Sequence, residues 1–358
     1  TKGKVPSFLG SSFAYLSPAF VVIASQGFRA AQAGFVISGL LLALIGLIIK
    51  YAGRGWIEVV FPPAATGAIV AIIGLELAPT AAGMAGLIAE EGAPLDPRYL
   101  LVSISTLAIV VTGSVIFRGF LAIIPILVGV AGGYIIALLA GIVDFTVIKE
   151  ASWFALPDFS APVWDMAAIL TVLPATLVVV AEHIGHLIVT GNIVEKDFIE
   201  DPGLHRTMAG DGLSTAISGL VGSVPTTTYG ENIGVLAITK VYSVWVIGGA
   251  AVISIIISFV GKLAAAIKTI PDPVMGGVSL LLFGVIATSG IRMLVEEKVD
   301  YSKPKNLVLT AVVLIIGLSG ARIQIGSVTF AGMALATAVS IIISILFKIF
   351  EVTGLMNE

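Results

Sequence analysis

The sequence predicts an all-α polytopic membrane protein, and three observations predict it: the composition, the long apolar runs and an internal repeat. Of 358 residues, 58% are apolar and 11% are charged, whereas soluble domains are roughly 45–50% apolar and about 25% charged. The absence of cysteine and the presence of only three histidines exclude a cysteine-ligated zinc site, an iron–sulfur cluster and a disulfide framework. A net charge of −3 without a basic tract gives no basis for nucleic-acid binding.

Apolar runs long enough to span a bilayer recur along the whole chain. A spanning helix needs roughly 20 mostly apolar residues, and no run alternates with the period of two that an outer-membrane barrel requires. Two further runs, 10–24 and 226–241, are short and polar in their first halves, so about 12 spans are expected. The long runs lie at 32–50, 57–78, 100–117, 119–143, 166–191, 207–223, 244–262, 274–292, 306–320 and 328–349.

An internal repeat relates the two halves of the chain and predicts their orientation. The second copy contains seven spans, from 166 to 349, so the partners of its first two spans are expected upstream of residue 10, which gives 14 spans in the parent protein. Because seven is odd, the copies would be inverted in the membrane, an arrangement typical of transporters with a midplane site at discontinuous helices. The matching positions are Gly34 with Gly248, Phe61-Pro62-Pro63 with Pro271-Asp272-Pro273, and Gly113 and Gly119 with Gly320 and Gly326.

The lysines and arginines predict which side of the membrane faces the cytoplasm. Of the 19 such residues, thirteen fall on the side of the loop before residue 10, and cytoplasmic loops carry the excess of Lys and Arg. We therefore expect a multi-pass protein of the cytoplasmic membrane whose carboxyl terminus is cytoplasmic. The thirteen are Lys2, Lys4, Lys50, Arg54, Arg118, Lys196, Arg206, Lys240, Arg292, Lys298, Lys303, Lys305 and Lys348; the other six are Arg29, Arg98, Lys149, Lys262, Lys268 and Arg322.

Ionisable residues stand inside the run 166–191, where they are costly and indicate function. Glu182 and His186 are four residues apart and share one helix face, with His183 close by. A carboxylate beside an imidazole is suited to proton handling, because each charge shifts the pKa of the other group. Two alternatives remain open: a structural ion pair that locks two helices, and a metal-binding or acid–base pair of a membrane-embedded enzyme.

The segment 225–234 is too polar to begin as a lipid-facing helix. Its threonines and tyrosine favour extended backbone, and Gly230 permits close approach of a ligand. A helix that starts near Glu231 would direct its positive dipole end at the site. The plainer alternative is that Glu231 caps an interfacial helix.

An equivalent segment, 10–18, occurs in the first repeat. An offset of 214 places Tyr15 on Tyr229, and Phe13 would present a ring face and a backbone N–H to a planar ligand. Two other carboxylates are given simpler roles: Glu76 is expected at the membrane interface, and Asp211 is expected near the start of a helix.

A signature then becomes recognisable in residues 231–240. The segment agrees with a ten-residue pattern at its five constrained positions, Glu231, Asn232, Gly234, Thr239 and Lys240. The pattern is Gln/Glu/Pro, Asn, any residue, Gly, any four residues, Thr, and then Arg/Lys/Gly. With Ala181-Glu182-His183-Ile184-Gly185-His186 and Ser11-Ser12-Phe13-Ala14, the chain resembles the nucleobase–ascorbate transporter family over its whole length, and within it the bacterial uracil permeases.

The resemblance implies a fold of two inverted seven-helix repeats, divided into a core domain and a gate domain. Two of the helices would be broken by short antiparallel strands, near 11–15 and 226–230, and the first two core spans would be missing. The implied core comprises residues 1–56 and 160–269, and the implied gate comprises residues 57–150 and 270–358.

The resemblance also implies proton-coupled uptake of uracil by alternating access. Glu182 and Glu231 would accept the N–H groups of the pyrimidine, while the backbone N–H groups of Phe13 and Gly230 would donate to its carbonyl oxygens. Tyr229 would line the pocket, and His186 with Glu231 would carry the coupling proton. The implied protein is not an enzyme and has no cofactor beyond that proton, no metal and no nucleic-acid partner.

The substrate, the coupling ion and the oligomeric state are left open. For the substrate, one alternative is a purine or xanthine permease of the same family. Another is an anion transporter of similar fold, but two site glutamates argue against it because ionised carboxylates repel anions. Sodium in place of the proton and assembly as a homodimer also remain undecided.

Overall fold

The computed structural model describes residues 3–53, 55–88, 94–325 and 328–356. Helices dominate it, and two short strand pairs interrupt them. The first eight helices are α1 Leu16–Gln26, α2 Phe28–Ala52, α3 Gly55–Val60, α4 Pro63–Glu76, α5 Ala78–Met84, α6 Pro97–Ile116, α7 Pro125–Leu139 and α8 Thr146–Glu150. The remaining ones are α9 Met166–Val172, α10 Ala175–Val194, α11 Leu204–Val221, α12 Gly230–Thr239, α13 Val244–Ser258, α14 Gly261–Lys268, α15 Asp272–Glu296, α16 Pro304–Leu318 and α17 Gly332–Thr353. The strands are β1 Leu9–Ser11, β2 Thr226–Thr228, β3 Arg322–Ile325 and β4 Val328–Ala331, and short 3-10 helices occur at Phe13–Tyr15 and Gly119–Ile123.

Several helices have the length and apolar composition of membrane spans, which confirms the predicted fold class. Within the described residues six stretches meet both criteria, and four shorter apolar helices accompany them. The count of about 12 spans and the inverted relation of the halves stay predictions. The six are Phe28–Ala52, Pro63–Met84, Pro97–Ile116, Met166–Val194, Asp272–Glu296 and Gly332–Thr353; the shorter four are Phe13–Gln26, Pro125–Leu139, Val244–Ser258 and Pro304–Leu318.

Several of the predicted spans are interrupted. The run 57–78 is divided among α3, α4 and α5. The run 166–191 is divided between α9 and α10 at Pro174, because proline has no N–H for the helical hydrogen bond. Lys2, Arg54 and Gly326, which entered the charge and repeat arguments, lie outside the described residues.

The expectation of a helix from residue 328 is wrong at its start. Val328–Ala331 forms β4, which pairs antiparallel with β3, and α17 begins only at Gly332. Apolarity alone did not separate the two states, since Val, Phe and Thr also favour extended backbone.

The first strand pair joins segments that are more than 200 residues apart in the sequence. Leu9 pairs with Thr228, Gly10 with Thr227 and Ser11 with Thr226. The strand expected near 11–15 ends at Ser11, because residues 13–15 form a 3-10 helix that continues into α1. Pro18 lies in the first turn of α1, where its fixed φ suits a helix. The expectation of two short antiparallel strands in broken helices is confirmed, with β1 displaced toward the amino terminus.

The chain divides into two compact units, of which the first comprises residues 1–76, 158–247 and 286–358. It holds the larger hydrophobic core, which includes Phe35, Ile72, Val179 and Met208. In this unit α2 and α11 pack at backbone distance: a Cβ on Gly212 would lie 2.5 Å from the carbonyl oxygen of Gly39. Small residues of this kind let membrane helices approach closely.

The second unit comprises residues 77–157 and 248–285. Its small core contains Val102, Ala137 and Val274, and the hydroxyl groups of Tyr134 and Thr269 are hydrogen-bonded at 2.9 Å. These two units are defined by how densely their residues pack. The expected core and gate domains are defined by which helices move together. The core–gate boundaries therefore stay a prediction.

Candidate functional site at the paired strands

Two helices begin directly beside the β1–β2 pair. Tyr15 is the N-cap residue of α1, and Tyr229 is the N-cap residue of α12. The pairing is extended on both sides, since Ser12 N–H donates to Pro225 O at 2.9 Å and Tyr229 N–H donates to Phe8 O at 3.1 Å. Helix amino ends carry partial positive charge and exposed N–H donors, which makes this junction a suitable place for carbonyl oxygens or carboxylates.

Side chains of β2 bind the two ionisable residues of α10. The Thr227 hydroxyl donates to Oε2 of Glu182 at 3.3 Å, and Oγ1 of Thr228 lies 2.9 Å from Nδ1 of His186. Both α10 side chains are buried, at 6% and 9% exposure. The spacing-based prediction that Glu182 and His186 share one face is therefore confirmed, and the strand supplies partners to both.

Gly230 lies against the other nitrogen of the same imidazole. A Cβ on Gly230 would be 3.1 Å from Nε2 of His186, so the first residue of α12 packs on the ring that Thr228 holds. A side chain at this position would therefore press on the imidazole, which agrees with the close approach expected of this glycine.

Glu231 stands in the first turn of α12. Among the described residues, its Oε1 atom is buried and has no hydrogen-bond partner. Its carboxylate is near enough to that of Glu182 for a direct electrostatic interaction. Two acidic groups thus lie close together, and the unpaired Oε1 atom of Glu231 can accept a hydrogen bond from an N–H group of a ligand.

Tyr229 forms one wall beside the strands. Its hydroxyl lies 2.8 Å from the Ser11 hydroxyl, its ring contacts the backbone of Gly10 so closely that no Cβ fits there, and its centroid is 6.4 Å from that of Phe8. Phe13 lies in the 3-10 helix and is half-buried, with its side chain packed against the hydrophobic core. The structure therefore brings the five expected substrate-binding residues and His186 into one neighbourhood, while their roles stay predictions.

His183 joins this helix to α11 through a buried imidazole–carboxylate hydrogen bond. Its Nδ1 lies 2.9 Å from Oδ2 of Asp211, and its Nε2 lies 3.0 Å from Oγ1 of Thr207. Asp211 is 1% exposed in the middle of α11, so the expectation of a helix-start carboxylate is wrong. The flanking glycines Gly210 and Gly212 suggested a helix start, but both lie inside α11, and Gly212 packs against the backbone of α2.

The hydroxyl groups of α11 fix β2 in turn. Thr215 Oγ1 donates to Thr226 O at 2.9 Å and accepts from Thr226 N–H at 3.1 Å, and the Thr226 hydroxyl donates to Ser214 Oγ at 2.9 Å. Sequence reasoning missed Thr215, because a threonine inside an apolar run resembles ordinary helix packing until its partner strand is known.

Glu76 also has a role that the sequence did not reveal. Its Oε2 accepts from Met333 N–H at 2.7 Å, at the amino end of α17, and the carboxylate interacts with the side chain of Ser17. It is half-buried in this position, and its expected place at the membrane interface stays a prediction.

Comparison with known proteins identifies the family. The profile of the permease family matches residues 1–326. A uracil permease of Paenibacillus larvae subsp. larvae is 60% identical over 360 residues, which cover 100% of this chain and 86% of the relative. A uracil permease of Escherichia coli (strain K12) is 61% identical over 351 residues, covering 98% and 82%, and one of Bacillus subtilis (strain 168) is 46% identical over 356 residues, covering 97% and 82%.

Two solved structures share the fold at low sequence identity. The transmembrane domain of the cyanobacterial bicarbonate transporter BicA has a TM-score of 0.63 at 15% identity and covers 96% of this chain and 84% of its own. SLC26A9 has a TM-score of 0.63 at 10% identity and covers 98% and 58%. The profile and the close relatives together show that the chain belongs to the nucleobase–ascorbate transporters of the permease family and is a membrane transporter, not an enzyme.

Proposed function

We propose that this protein carries out proton-coupled uptake of uracil across the cytoplasmic membrane by alternating access. The observation that carries the proposal is the arrangement of Glu182 and Glu231 beside the β1–β2 pair. The names of the relatives, uracil permeases at 46–61% identity, support the choice of substrate.

The chemistry of uracil matches the groups that meet there. Uracil is a small, flat, neutral ring with two N–H donors and two carbonyl acceptors. An ionised carboxylate is an acceptor only and forms strong, charge-assisted hydrogen bonds, so Glu182 and Glu231 would bind the donor edge. Backbone N–H groups at the start of α12 and near Phe13 would bind the carbonyl oxygens, and Tyr229 would close one side of the pocket.

Proton coupling would use the same residues. Coupling requires that protonation change the affinity for substrate, and that substrate change the affinity for the proton by the same factor. Glu231 adjoins the proposed site directly, and His186 touches it through Gly230 and Thr228. We assign the coupling proton to Glu231 and His186.

Transport by reconstituted protein tests the substrate and the driving force together. Radiolabelled uracil should accumulate in proteoliposomes with an inwardly directed proton gradient and not when an ionophore dissipates it. Excess unlabelled uracil should block this uptake, whereas excess xanthine should not. If xanthine blocks uptake and uracil does not, the protein is a purine permease. If accumulation follows a sodium gradient, the coupling ion is sodium and not the proton.

The substitution Glu231→Gln tests the coupling role. The amide cannot take up or release the proton, but it retains an acceptor oxygen, so uracil binding should remain measurable while gradient-driven accumulation is abolished. Isothermal titration and proteoliposome uptake measure the two effects separately. Glu200→Gln, at an exposed carboxylate, is the matched control and should leave both unchanged. Undiminished accumulation by the Glu231 variant would remove this residue from proton coupling.

A further inference from the structure

A groove outside the candidate site lies between α2 and α11. Its cavity measures about 410 Å³. The two helices touch beneath it, because a Cβ on Gly46 would lie 2.9 Å from His205 O and 3.1 Å from Ala209 N. The floor of the groove is therefore backbone and small side chains, and its depth is set by the absence of a side chain at Gly46.

One wall of the groove is a row of leucines on α2. Leu40, Leu44 and Leu47 follow the i, i+4, i+7 spacing of one helix face, and each is about half exposed, at 52%, 50% and 48%. In a membrane-spanning helix such a row is in contact with acyl chains, so the groove is shaped to receive a hydrocarbon chain along its length.

The end of the groove is basic and lacks an acidic residue. Lys50, His205 and Arg206 line it, and its full lining contains no Asp or Glu. In the described part of the chain, no ion pair involves Lys50 or Arg206. Their contacts are weak or neutral: the Lys50 ammonium lies 5.2 Å from the Tyr51 ring centre, and Arg206 Nη1 donates to Pro202 O. Two cationic side chains thus line the same groove, whose lining contains no carboxylate.

A second groove of similar size provides an internal comparison. It measures about 450 Å³ and contains two lysines, Lys305 and Lys348, but Glu58 and Glu351 line it as well. Lys348 Nζ lies 3.5 Å from Oε2 of Glu351. In this second groove, carboxylates of the protein compensate the lysines. The groove between α2 and α11 has no such carboxylate in its lining.

We propose that the groove between α2 and α11 is a binding site for an anionic phospholipid. The acyl chain lies along Leu40, Leu44 and Leu47, and the phosphate group binds Lys50 and Arg206. Cationic side chains near the headgroup region attract anionic lipids, and long side chains such as these reach the interface from a helix end. A lipid accounts for both ends of the groove, whereas free phosphate accounts only for the basic end.

The test is lipid binding by the purified protein, measured by native mass spectrometry. Phosphatidylglycerol should be retained in preference to phosphatidylcholine with the same acyl chains. The double variant Lys50→Gln/Arg206→Gln should bind phosphatidylglycerol on the order of tenfold more weakly and bind phosphatidylcholine as before. The matched control Lys305→Gln/Lys348→Gln removes the same charge from the compensated groove and should retain the preference.

A second variant tests the apolar wall of the groove separately from its charge. Leu44→Ala/Leu47→Ala removes apolar contact and should weaken retention of both lipids, while glycerol 3-phosphate, which carries the headgroup charge without an acyl chain, should not displace bound phosphatidylglycerol. Equal retention of the two lipids by the unmodified protein, or an undiminished preference in the Lys50/Arg206 variant, would overturn the proposal. Displacement by glycerol 3-phosphate would also overturn it, in favour of a simple anion site.

Discussion

At the scale of single residues, the candidate site depends on hydroxyl groups of β2 that hold the ionisable side chains of α10. Thr228 is 5% exposed and bonds Nδ1 of the buried His186. A buried polar group that loses its partner costs about 1–3 kcal/mol, so this hydroxyl helps to fix the orientation of His186.

The substitution Thr228→Val should therefore lower uracil uptake about tenfold, because the shape is kept while the imidazole loses its hydroxyl partner. Initial rates in proteoliposomes measure the effect. Thr171→Val is the control and should transport normally, since within the described ranges the Thr171 hydroxyl bonds only the Ala167 carbonyl of its own helix. Normal uptake by the Thr228 variant would mean that His186 is held by other contacts.

Gly230→Ala tests the close approach of α12 to the same imidazole. The new methyl group would lie 3.1 Å from Nε2 of His186, so one of the two must shift and the dissociation constant for uracil should rise about tenfold or more. Gly249→Ala, at a position with open space around it, adds the same methyl group without a contact. An unchanged dissociation constant would show that the Gly230 backbone is not part of the binding surface.

At the scale of elements, the α2–α11 pair positions β2 and α10. Glycines on the contact face let the backbones touch, and α11 then presents Asp211 to His183 and Thr215 to Thr226. The sequence indicated close helix packing from its glycines, but not which helices pair. Pairing depends on complementary surfaces, which become visible only when both helices are in place.

Gly39→Val should destabilise this pair. A side chain there collides with backbone atoms of Gly212 and Ala216, which cannot rotate away, and overpacking costs typically about 1–3 kcal/mol. The melting temperature in detergent should fall by several degrees. Gly210→Val, on α11 with nothing within 4 Å, should have a small effect. Equal melting temperatures for the two variants would contradict the packing argument.

At the scale of the whole molecule, charge distribution predicts a cytoplasmic carboxyl terminus. The chain has no cysteine, so a single introduced cysteine reports its own side of the membrane. Leu355→Cys, 73% exposed near the carboxyl terminus, should react with a membrane-impermeant maleimide only after permeabilisation. Leu156→Cys, 70% exposed in the segment expected on the opposite side, should react in intact cells. The reverse pattern would invert the topology.

Local signals predicted part of the site and missed the rest for a physical reason. Glu182 and His186 were found because charge inside an apolar run is costly, and Glu231 was found because a polar, glycine-containing segment cannot be a lipid-facing helix. Asp211 was misplaced and the β3–β4 pair was not expected. A lone carboxylate between glycines and a β-branched apolar run are each compatible with more than one structure.

The sequence by itself determined that this is a polytopic helical membrane protein with broken helices, because hydrocarbon requires long apolar stretches and excludes unpaired backbone. It also determined the family, through a short signature in α12. Only the tertiary structure decided that β1 pairs with β2, that Thr227 and Thr228 hold Glu182 and His186, and that His183 binds Asp211. Hydrogen bonds between segments more than 200 residues apart depend on how helices pack, and packing is a property of surfaces in three dimensions.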